Sequence, residues 1–180
     1  MAEIICGGFG GQGILTTGMI IANIGVDEGK DVSWMPSYGS EMRGGTANCN
    51  VIISDDEVGS PAITYPDYLV VMNAPALEKF QHKVRKTGGI LIDSSMVGEG
   101  REFPEGIAVY SIPATDLAND MKNPKGANVI MLGAFVAMSG LFSADIARAG
   151  LNKFFDNKGK NSPKNNECFD IGIRSVKRIR

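Results

Sequence analysis

The sequence predicts one α/β domain of three layers, built on a doubly wound, mostly parallel sheet of the Rossmann type. Short apolar runs alternate along the chain with segments whose apolar residues recur every three or four positions, as in strands and helices. Three of the runs, at 4–6, 69–72 and 90–92, are apolar on both faces, which is typical of buried parallel strands. With 180 residues, of which 43% are hydrophobic, the chain is long enough to bury one sizeable core.

The first strand, at 4–6, leads through a glycine-rich turn into the first helix. Apolar residues recur at helical spacing from Ile14, so we predict a helix over 12–28 that ends at Gly29. A second strand at 31–36 follows, and it leads into a polar loop. Because no helix separates this strand from the next one, at 47–53, we expect the latter to lie antiparallel or at an edge.

The rest of the chain continues the alternation of strands and helices. We predict further strands at 68–72, 90–92 and 108–113, and helices at 75–85, from 114, at 128–141 and at 143–155. The helix at 128–141 is apolar on nearly every face and should therefore be buried. We divide the chain into an α/β domain at 1–156 and a polar hinge with a C-terminal helix at 157–180. Ser143 caps the helix that ends at 155, and Ser162 caps the last helix, which we expect to end in basic residues at Lys177, Arg178 and Arg180.

The turn after the first strand contains glycine at five of seven positions. Gly8, Gly10 and Gly13 satisfy the pattern G-x-G-x-x-G between a strand and a helix, the context in which this pattern binds dinucleotide phosphates. Glycine lets the backbone turn sharply and approach an anion, and the helix start offers unpaired N–H groups. With Gly11 and Gln12, these glycines are candidate binding residues. The alternative is close packing of the strand against the helix without a ligand.

An NAD site needs one further group, an acidic residue at the end of the second strand that binds the ribose. Asp31 has about the right spacing, but it begins that strand, and the far end of the strand, at 35–38, contains no carboxylate. The turn therefore suits a phosphate or a partner surface better than it suits NAD.

A second glycine-rich loop follows the second strand, at the edge where open α/β sheets bind ligands. Its candidate binding residues are Ser37, Tyr38, Gly39, Glu41, Arg43, Gly44, Gly45 and Thr46. Arg43 offers a planar fork of donors to a carboxylate or phosphate. The alternative is a surface ion pair between Arg43 and Glu41, which would add little stability. We expect this loop and the glycine turn to leave adjacent strands and to form one shared site.

Composition and charge exclude several classes of function. The formal net charge is −2, which gives no general attraction to nucleic acid, and no apolar run reaches the roughly 20 residues of a membrane span. The start of the sequence lacks the basic and apolar regions of a signal peptide. Cys6, Cys49 and Cys168 lie far apart in sequence and form no cluster motif, which suits a reducing cytoplasm.

The sequence contains no self-contained catalytic set. His82, the only histidine, lies among basic residues in a segment typical of a solvated helix face. Asp93 and the two serines after it are best explained as caps for backbone groups at the end of a strand. We therefore assign no catalytic and no metal-binding residue, and we expect the chain to be a subunit of a larger enzyme.

Four motifs in fixed order carry a resemblance to a known family. They are GFGGQG at 8–13, SYGSEMRGGTA at 37–47, ISD at 53–55 and GSP at 59–61. With these motifs the chain resembles the gamma subunits of the 2-oxoacid:ferredoxin oxidoreductases, especially those for 2-oxoglutarate and branched-chain 2-ketoacids. The likeness extends to about Phe155, whereas the tail from Asn157 is less typical.

The resemblance implies an enzyme that decarboxylates a 2-oxoacid on thiamine diphosphate, reduces ferredoxin through iron–sulfur clusters and transfers the acyl group to coenzyme A. Alpha and beta subunits would carry thiamine diphosphate and magnesium, and beta or a small delta subunit the clusters. The chain agrees, since it has neither a cluster ligand set nor the diphosphate–magnesium motif of thiamine enzymes. Coenzyme A, or a partner subunit, would then contact the two loops.

The resemblance leaves the 2-oxoacid open. We expect 2-oxoglutarate, with branched-chain 2-ketoacids, pyruvate or indolepyruvate as alternatives, because substrate contacts would lie mostly on other chains. Two other classes stay open as well. One is a stand-alone dinucleotide-dependent enzyme, which the missing carboxylate disfavours. The other is a non-catalytic α/β binding module that uses the same face.

Overall fold

The computed structural model describes residues 1–38, 46–98 and 100–180. Its strands are β1 (Ala2–Phe9), β2 (Asp31–Tyr38), β3 (Thr46–Ser54), β4 (Tyr68–Val71), β5 (Gly89–Asp93), β6 (Ala108–Ile112) and β7 (Lys177–Arg178). Its α-helices are α1 (Ile14–Asp27), α2 (Ala74–Phe80), α3 (Ser94–Val97), α4 (Ala114–Asp120), α5 (Ala127–Ser139), α6 (Ala144–Asp156) and α7 (Pro163–Ser175). Short 3₁₀ turns follow α2 (Gln81–Lys83) and precede α5 (Pro124–Gly126).

Within the described residues, the strands form one mixed sheet in the order β2-β3-β1-β4-β5-β6-β7. Neighbouring strands are parallel from β1 through β4 and β5 to β6. β3 is antiparallel to both β1 and β2, and β7 is antiparallel to β6. The three runs predicted to be central fall on β1, β4 and β5, each of which has a strand on either side. The predicted α/β class is therefore confirmed, with a mixed sheet.

Helices cover both faces of this sheet, which gives the three predicted layers. In β4, Val70 packs into a core formed with α1 and α5, whereas Leu69 and Val71 pack into a second core formed with α2 and α3. Because successive side chains of a strand point to opposite faces, burial on both faces requires a continuous apolar run. All three residues have 0% exposure.

α5 is apolar on nearly every face because it contacts the sheet on one side and α7 on the other. A Cβ atom at Gly133 of α5 would lie 2.1 Å from the backbone oxygen of Phe169 in α7. A Cβ atom at Gly172 of α7 would lie 2.1 Å from the backbone oxygen of Ile130. The two helix backbones are therefore in direct contact, and the prediction of a buried helix is confirmed.

Four of the described helices begin with a polar side chain that caps a free N–H group, and at α3 that side chain is Asp93. Asn73 accepts a hydrogen bond from Ala76 N at the start of α2. Ser143 and Ser162 do the same for α6 and α7, as the sequence predicts.

β2 is the outermost strand on one side of the sheet, and it continues past its predicted end to Tyr38. Pro36 is tolerated within it because an edge strand leaves one row of backbone groups without a strand partner. β3 is antiparallel, as expected, and it lies between β2 and β1. The predicted adjacency of β1 and β2 is therefore wrong, because the strand that follows β2 occupies the place between them.

At the other edge of the sheet, the structure differs from the expectation that the C-terminal basic residues end a helix. α7 ends at Ser175, Val176 is extended, and Lys177 with Arg178 forms β7 against β6. The basic residues predicted at a helix terminus thus belong to an edge strand. The domain boundary at 156 stays a prediction, although α7 packs on α5 and β7 extends the sheet.

Cys6 and Cys49, distant in sequence, are direct neighbours across the β1–β3 pair. Both have 0% exposure, and both are free thiols, as is Cys168. A hydrogen bond with Cys49 and burial raise the pKa of the Cys6 thiol well above its usual value. Cys6 is therefore a protonated core side chain at neutral pH.

Candidate functional site

The turn between β1 and α1 presents its backbone to solvent at Gly10 and Gly11, which are both exposed. The φ angle is +100° at Gly11 and +78° at Gly13, and glycine adopts such angles without strain. A Cβ atom at Gly11 would meet no atom within 4 Å. Glycine is required there by the backbone conformation, and the space beside Gly11 is open to a ligand.

Gln12 fixes the shape of this turn. Its side-chain Oε1 accepts a hydrogen bond from Phe9 N at 2.6 Å, and its Nε2 donates one to Met72 O at 2.8 Å. The amide thus joins the carboxyl ends of β1 and β4. A Cβ atom at Gly8 would lie 2.9 Å from Gln12 Oε1, so Gly8 makes room for this amide. Both polar ends of Gln12 are therefore engaged within the chain.

Asn128 connects the starts of α1 and α5. Its Nδ2 donates a hydrogen bond to Gly13 O at 3.3 Å, and its backbone oxygen accepts one from Thr17 Oγ1 at 3.0 Å. A Cβ atom at Gly13 would lie 2.7 Å from Asn128 Nδ2. Close packing, the alternative explanation of the glycines, therefore applies to Gly8 and Gly13 but not to Gly11.

A cavity of about 490 Å³ opens beside the turn, at the carboxyl edge of the sheet. Its lining residues are Gly11, Gln12, Gly13, Met72, Met96, Thr115, Pro124, Lys125, Ala127 and Asn128. The sequence predicts Gly11, Gln12 and Gly13 as binding residues but does not single out the others. The signal that could have identified the cavity is the polar segment 123–126 before a buried helix, because a helix start with a lysine at this edge favours anion binding.

The two longest helices at the cavity both begin without a side-chain cap. Gly13 precedes α1 and Gly126 precedes α5, and at neither helix start does a side chain accept a hydrogen bond from a free backbone N–H group within the described residues. This distinguishes them from α2, α6 and α7, each of which has a capping side chain. Helix N-termini carry a partial positive charge and attract anions.

Lys125 adds a full positive charge to the same cavity. Its side chain is exposed, and within the described ranges it forms no ion pair. Met72 and Met96 supply an apolar wall, and the Met96 side chain is 39% exposed. The arrangement can bind a phosphate-bearing ligand whose apolar part packs against the methionines.

The residues of the second loop that the structure describes lie at the same edge as the glycine turn. Thr46 pairs with Phe9 across β3 and β1. Ser37 and Tyr38 are exposed at the end of β2, one strand farther away. Since strands lie about 4.8 Å apart, the ends of β1 and β2 are separated by roughly 10 Å. Gly39, Glu41, Arg43, Gly44 and Gly45 lie outside the described residues.

Asp93 is fully buried and caps backbone groups, as the sequence predicts. Its carboxylate accepts hydrogen bonds from Ser95 N at 3.1 Å and from Thr115 Oγ1 at 2.6 Å. Burial raises the pKa of Asp93, and these hydrogen bonds oppose the rise. His82 lies exposed in the 3₁₀ turn after α2.

Asp31 lies at the amino end of β2, away from the glycine turn, and its Oδ2 accepts a hydrogen bond from Val58 N at 2.6 Å. The ribose-binding carboxylate of an NAD site is therefore missing from the described end of β2. In the same part of the chain, no group of three or more His, Cys, Asp or Glu side chains could hold a metal ion. None of the described helices combines the length and apolarity needed to cross a membrane.

Curated relatives match most of the chain. It is 40% identical over 131 residues to the ketoisovalerate oxidoreductase subunit VorA of Methanothermobacter marburgensis, covering 73% of this chain but 27% of that protein. It is 33% identical over 145 residues to the 2-oxoglutarate synthase subunit KorC of Methanocaldococcus jannaschii, covering 79% of this chain and 78% of KorC. The chain thus spans about a quarter of VorA but most of KorC.

Solved structures share the fold. The gamma subunit of a keto/oxoacid ferredoxin oxidoreductase from Geobacter sulfurreducens superposes with a TM-score of 0.77 at 27% identity, covering 96% of both chains. The 2-oxoglutarate:ferredoxin oxidoreductase of Magnetococcus marinus, with 2-oxoglutarate, coenzyme A and succinyl-CoA bound, gives 0.83 at 28% identity. That match covers 95% of this chain and 30% of the other.

The model of the pyruvate ferredoxin/flavodoxin oxidoreductase family matches residues 3–175, which is nearly the whole chain. The resemblance to gamma subunits that the two loops carry is confirmed by these relatives. The chain belongs to the pyruvate ferredoxin/flavodoxin oxidoreductase family.

Proposed function

We propose that this chain is the gamma subunit of a multisubunit, thiamine diphosphate-dependent 2-oxoacid:ferredoxin oxidoreductase. The complex would oxidatively decarboxylate a 2-oxoacid to an acyl-CoA and reduce ferredoxin. Alpha and beta subunits, and a delta subunit where present, would carry thiamine diphosphate, magnesium and the iron–sulfur clusters. The observation that carries this proposal is the family match over residues 3–175. The three free thiols fit the reducing cytoplasm as the place where the complex works.

We propose 2-oxoglutarate as the substrate of the complex. The 2-oxoglutarate synthase subunit KorC of Methanocaldococcus jannaschii and the 2-oxoglutarate:ferredoxin oxidoreductase of Magnetococcus marinus are both similar to this chain, and this similarity supports the proposal. Branched-chain 2-ketoacids, pyruvate and indolepyruvate are the alternatives, which differ in the side chain that other subunits would contact.

The cavity at the carboxyl edge is the proposed contact site for coenzyme A. The starts of α1 and α5 and the Lys125 ammonium provide positive charge for phosphates, and the open backbone at Gly11 allows close approach. Arg43 of the second loop, a candidate from the sequence alone, would add a planar fork of donors. The same positive groups could instead bind a carboxylate of the alpha or beta subunit.

Within that site, the residues of this chain would bind and orient and would not react. Coenzyme A supplies the thiol that accepts the acyl group. Gln12 and Asn128 hold the turn and the two helix starts in place through hydrogen bonds to backbone groups, so the positive groups keep a fixed geometry before the ligand binds. Lys125 would neutralise phosphate charge.

Reconstitution tests the proposed function. The purified chain alone should show no oxidation of a 2-oxoacid with thiamine diphosphate, magnesium, coenzyme A and an artificial electron acceptor. Co-expression with the alpha and beta subunits should give a brown complex that reduces the acceptor when 2-oxoglutarate and coenzyme A are both present. Turnover by the chain alone, or a complete failure to copurify with those subunits, would overturn the assignment.

A further inference from the structure

A second part of the surface carries positive charge that this chain does not neutralise. Residues 174–180 contain four cationic side chains and no acidic one, although the formal net charge of the chain is −2. The four are Arg174, Lys177, Arg178 and Arg180, which we call the basic edge. All four are exposed, and among the described residues none of them forms an ion pair.

The basic edge is built on β7, the outermost strand beyond β6. Lys177 pairs with Ser111 of β6, and Ile179 N donates a hydrogen bond to Val109 O at 2.8 Å. As the last strand of the sheet, β7 leaves one row of backbone groups without a strand partner within the described residues. Because side chains alternate along a strand, Lys177 and Ile179 face one side of the sheet.

A groove of about 410 Å³ lies on that side, between the end of the sheet and the ends of α4 and α7. It is lined by Ser111, Pro113, Leu117, Arg174, Ser175, Lys177 and Ile179. Leu117 and Ile179 are apolar lining residues, and Ile179 is 54% exposed. Arg174 and Lys177 add positive charge to the same lining. A basic surface that serves only solubility needs no apolar groove, so the combination favours a binding surface.

We propose that the basic edge is a docking surface for an acidic segment of a neighbouring subunit, which lies extended in this groove. The inference rests on the proposed function, because the partner is another subunit of the same complex. Carboxylates of the segment would bind the Arg174 guanidinium and the Lys177 ammonium, and an apolar side chain between them would pack on Leu117 and Ile179. A symmetric pairing of two copies through this surface is disfavoured, since the two basic edges would repel each other.

The test compares two charge-reversal variants in the co-expressed complex. Arg174→Glu with Lys177→Glu reverses the positive charge of the groove lining, where neither side chain has a hydrogen-bond partner among the described residues. Lys160→Glu with Lys164→Glu makes the same change in net charge at the opposite end of α7, where both residues are exposed. The affinity of each purified chain for the remaining subunits is measured by titration at low and at high salt.

The account predicts that the groove variant binds the other subunits at least about 10-fold more weakly at low salt, because two interfacial charges are reversed. The difference should shrink at high salt, and the control variant should bind like the wild type. Hydrogen exchange at residues 176–180 should slow in the wild-type complex relative to the free chain.

Equal binding by the two variants, or unchanged exchange at 176–180 on assembly, would overturn the docking surface and leave the proposed function intact. A wild-type chain that fails to assemble at all would instead contradict the proposed function, and the docking surface with it.

Discussion

The amino and carboxyl edges of the sheet, where the parallel strands begin and end, differ in whether their charged side chains form ion pairs within the chain. At the amino edge, Arg85 contacts Glu3 at 2.6 Å and Asp67 at 3.0 Å, and Asp67 also accepts a hydrogen bond from Glu3 N at 2.9 Å. At the carboxyl edge, Lys125 has no ion-pair partner within the described residues and lies beside two helix starts that no side chain caps. One edge neutralises its charges within the chain, and the other leaves positive charge accessible.

This difference separates residues that stabilise the fold from residues that are available to a ligand. The network around Arg85 connects β1 with the segments that lead into β4 and β5, so it contributes to folding. The Lys125 ammonium and the uncapped N–H groups beside it contribute little to folding, since they have few partners among the described residues, but they favour an anion. Open α/β sheets commonly bind ligands at the carboxyl edge for this reason.

The substitution Gly88→Ala at the amino edge should have the largest effect on the free energy of unfolding. A Cβ atom there would lie 1.6 Å from the backbone oxygen of Asp67, so Gly88→Ala must displace the backbone between β4 and β5. We expect the free energy of unfolding, measured by urea denaturation, to fall by about 3 kcal/mol, the upper end of typical overpacking costs. Gly59→Ala is the control, because its Cβ atom would meet open space. Similar stabilities of the two variants would contradict this part of the account.

Substitutions in the two glycine-rich loops should act on binding. Arg43→Ala should weaken coenzyme A use or subunit assembly by roughly 1–3 kcal/mol, the value of one hydrogen bond to a charged group. Gly11→Ala should act in the same direction, because alanine disfavours the φ of +100° that shapes the turn. Both are measured as the KM for coenzyme A and as the assembled fraction of the reconstituted complex. If both variants match the wild type in both quantities, the two loops have only a structural role.

A smaller effect should follow from Arg85→Ala. The Arg85 side chain is 42% exposed, so water screens its ion pairs and we expect a loss of about 1 kcal/mol in the free energy of unfolding. The KM for coenzyme A should not change, since Arg85 lies at the opposite edge of the sheet. Lys83→Ala, an exposed neighbour without an ion pair in the described ranges, is the control for stability. An altered KM for coenzyme A together with an unchanged free energy of unfolding would contradict the roles that we assign to the two edges.

The sequence predicts those parts of this molecule that depend on local pattern. The interior strands and the buried α5 follow from apolar runs, and the caps Ser143 and Ser162 follow from residue type. What it misses depends on contacts between distant segments. The position of β3 between β1 and β2 is set by pairing across the sheet. Lys125 joins the glycine turn only because α5 begins beside α1.

Local pattern also fails to predict the structure of the C-terminal segment. A stripe of apolar residues that ends in lysine and arginine fits a helix terminus by local rules. The available edge of β6 nevertheless offers backbone hydrogen bonds to residues 177–180, and these draw the segment into the sheet. Tertiary pairing here overrides the local preference.

The KM for coenzyme A of the reconstituted complex that carries Lys125→Ala tests the central claim most directly. If the carboxyl edge binds coenzyme A phosphates, the KM should rise about 10-fold or more, as expected for one lost charged contact, while the KM for the 2-oxoacid stays unchanged. Lys125→Arg should keep most of the affinity, and Lys83→Ala should behave like the wild type. An unchanged KM for coenzyme A in Lys125→Ala, in a complex that assembles fully, would contradict the account.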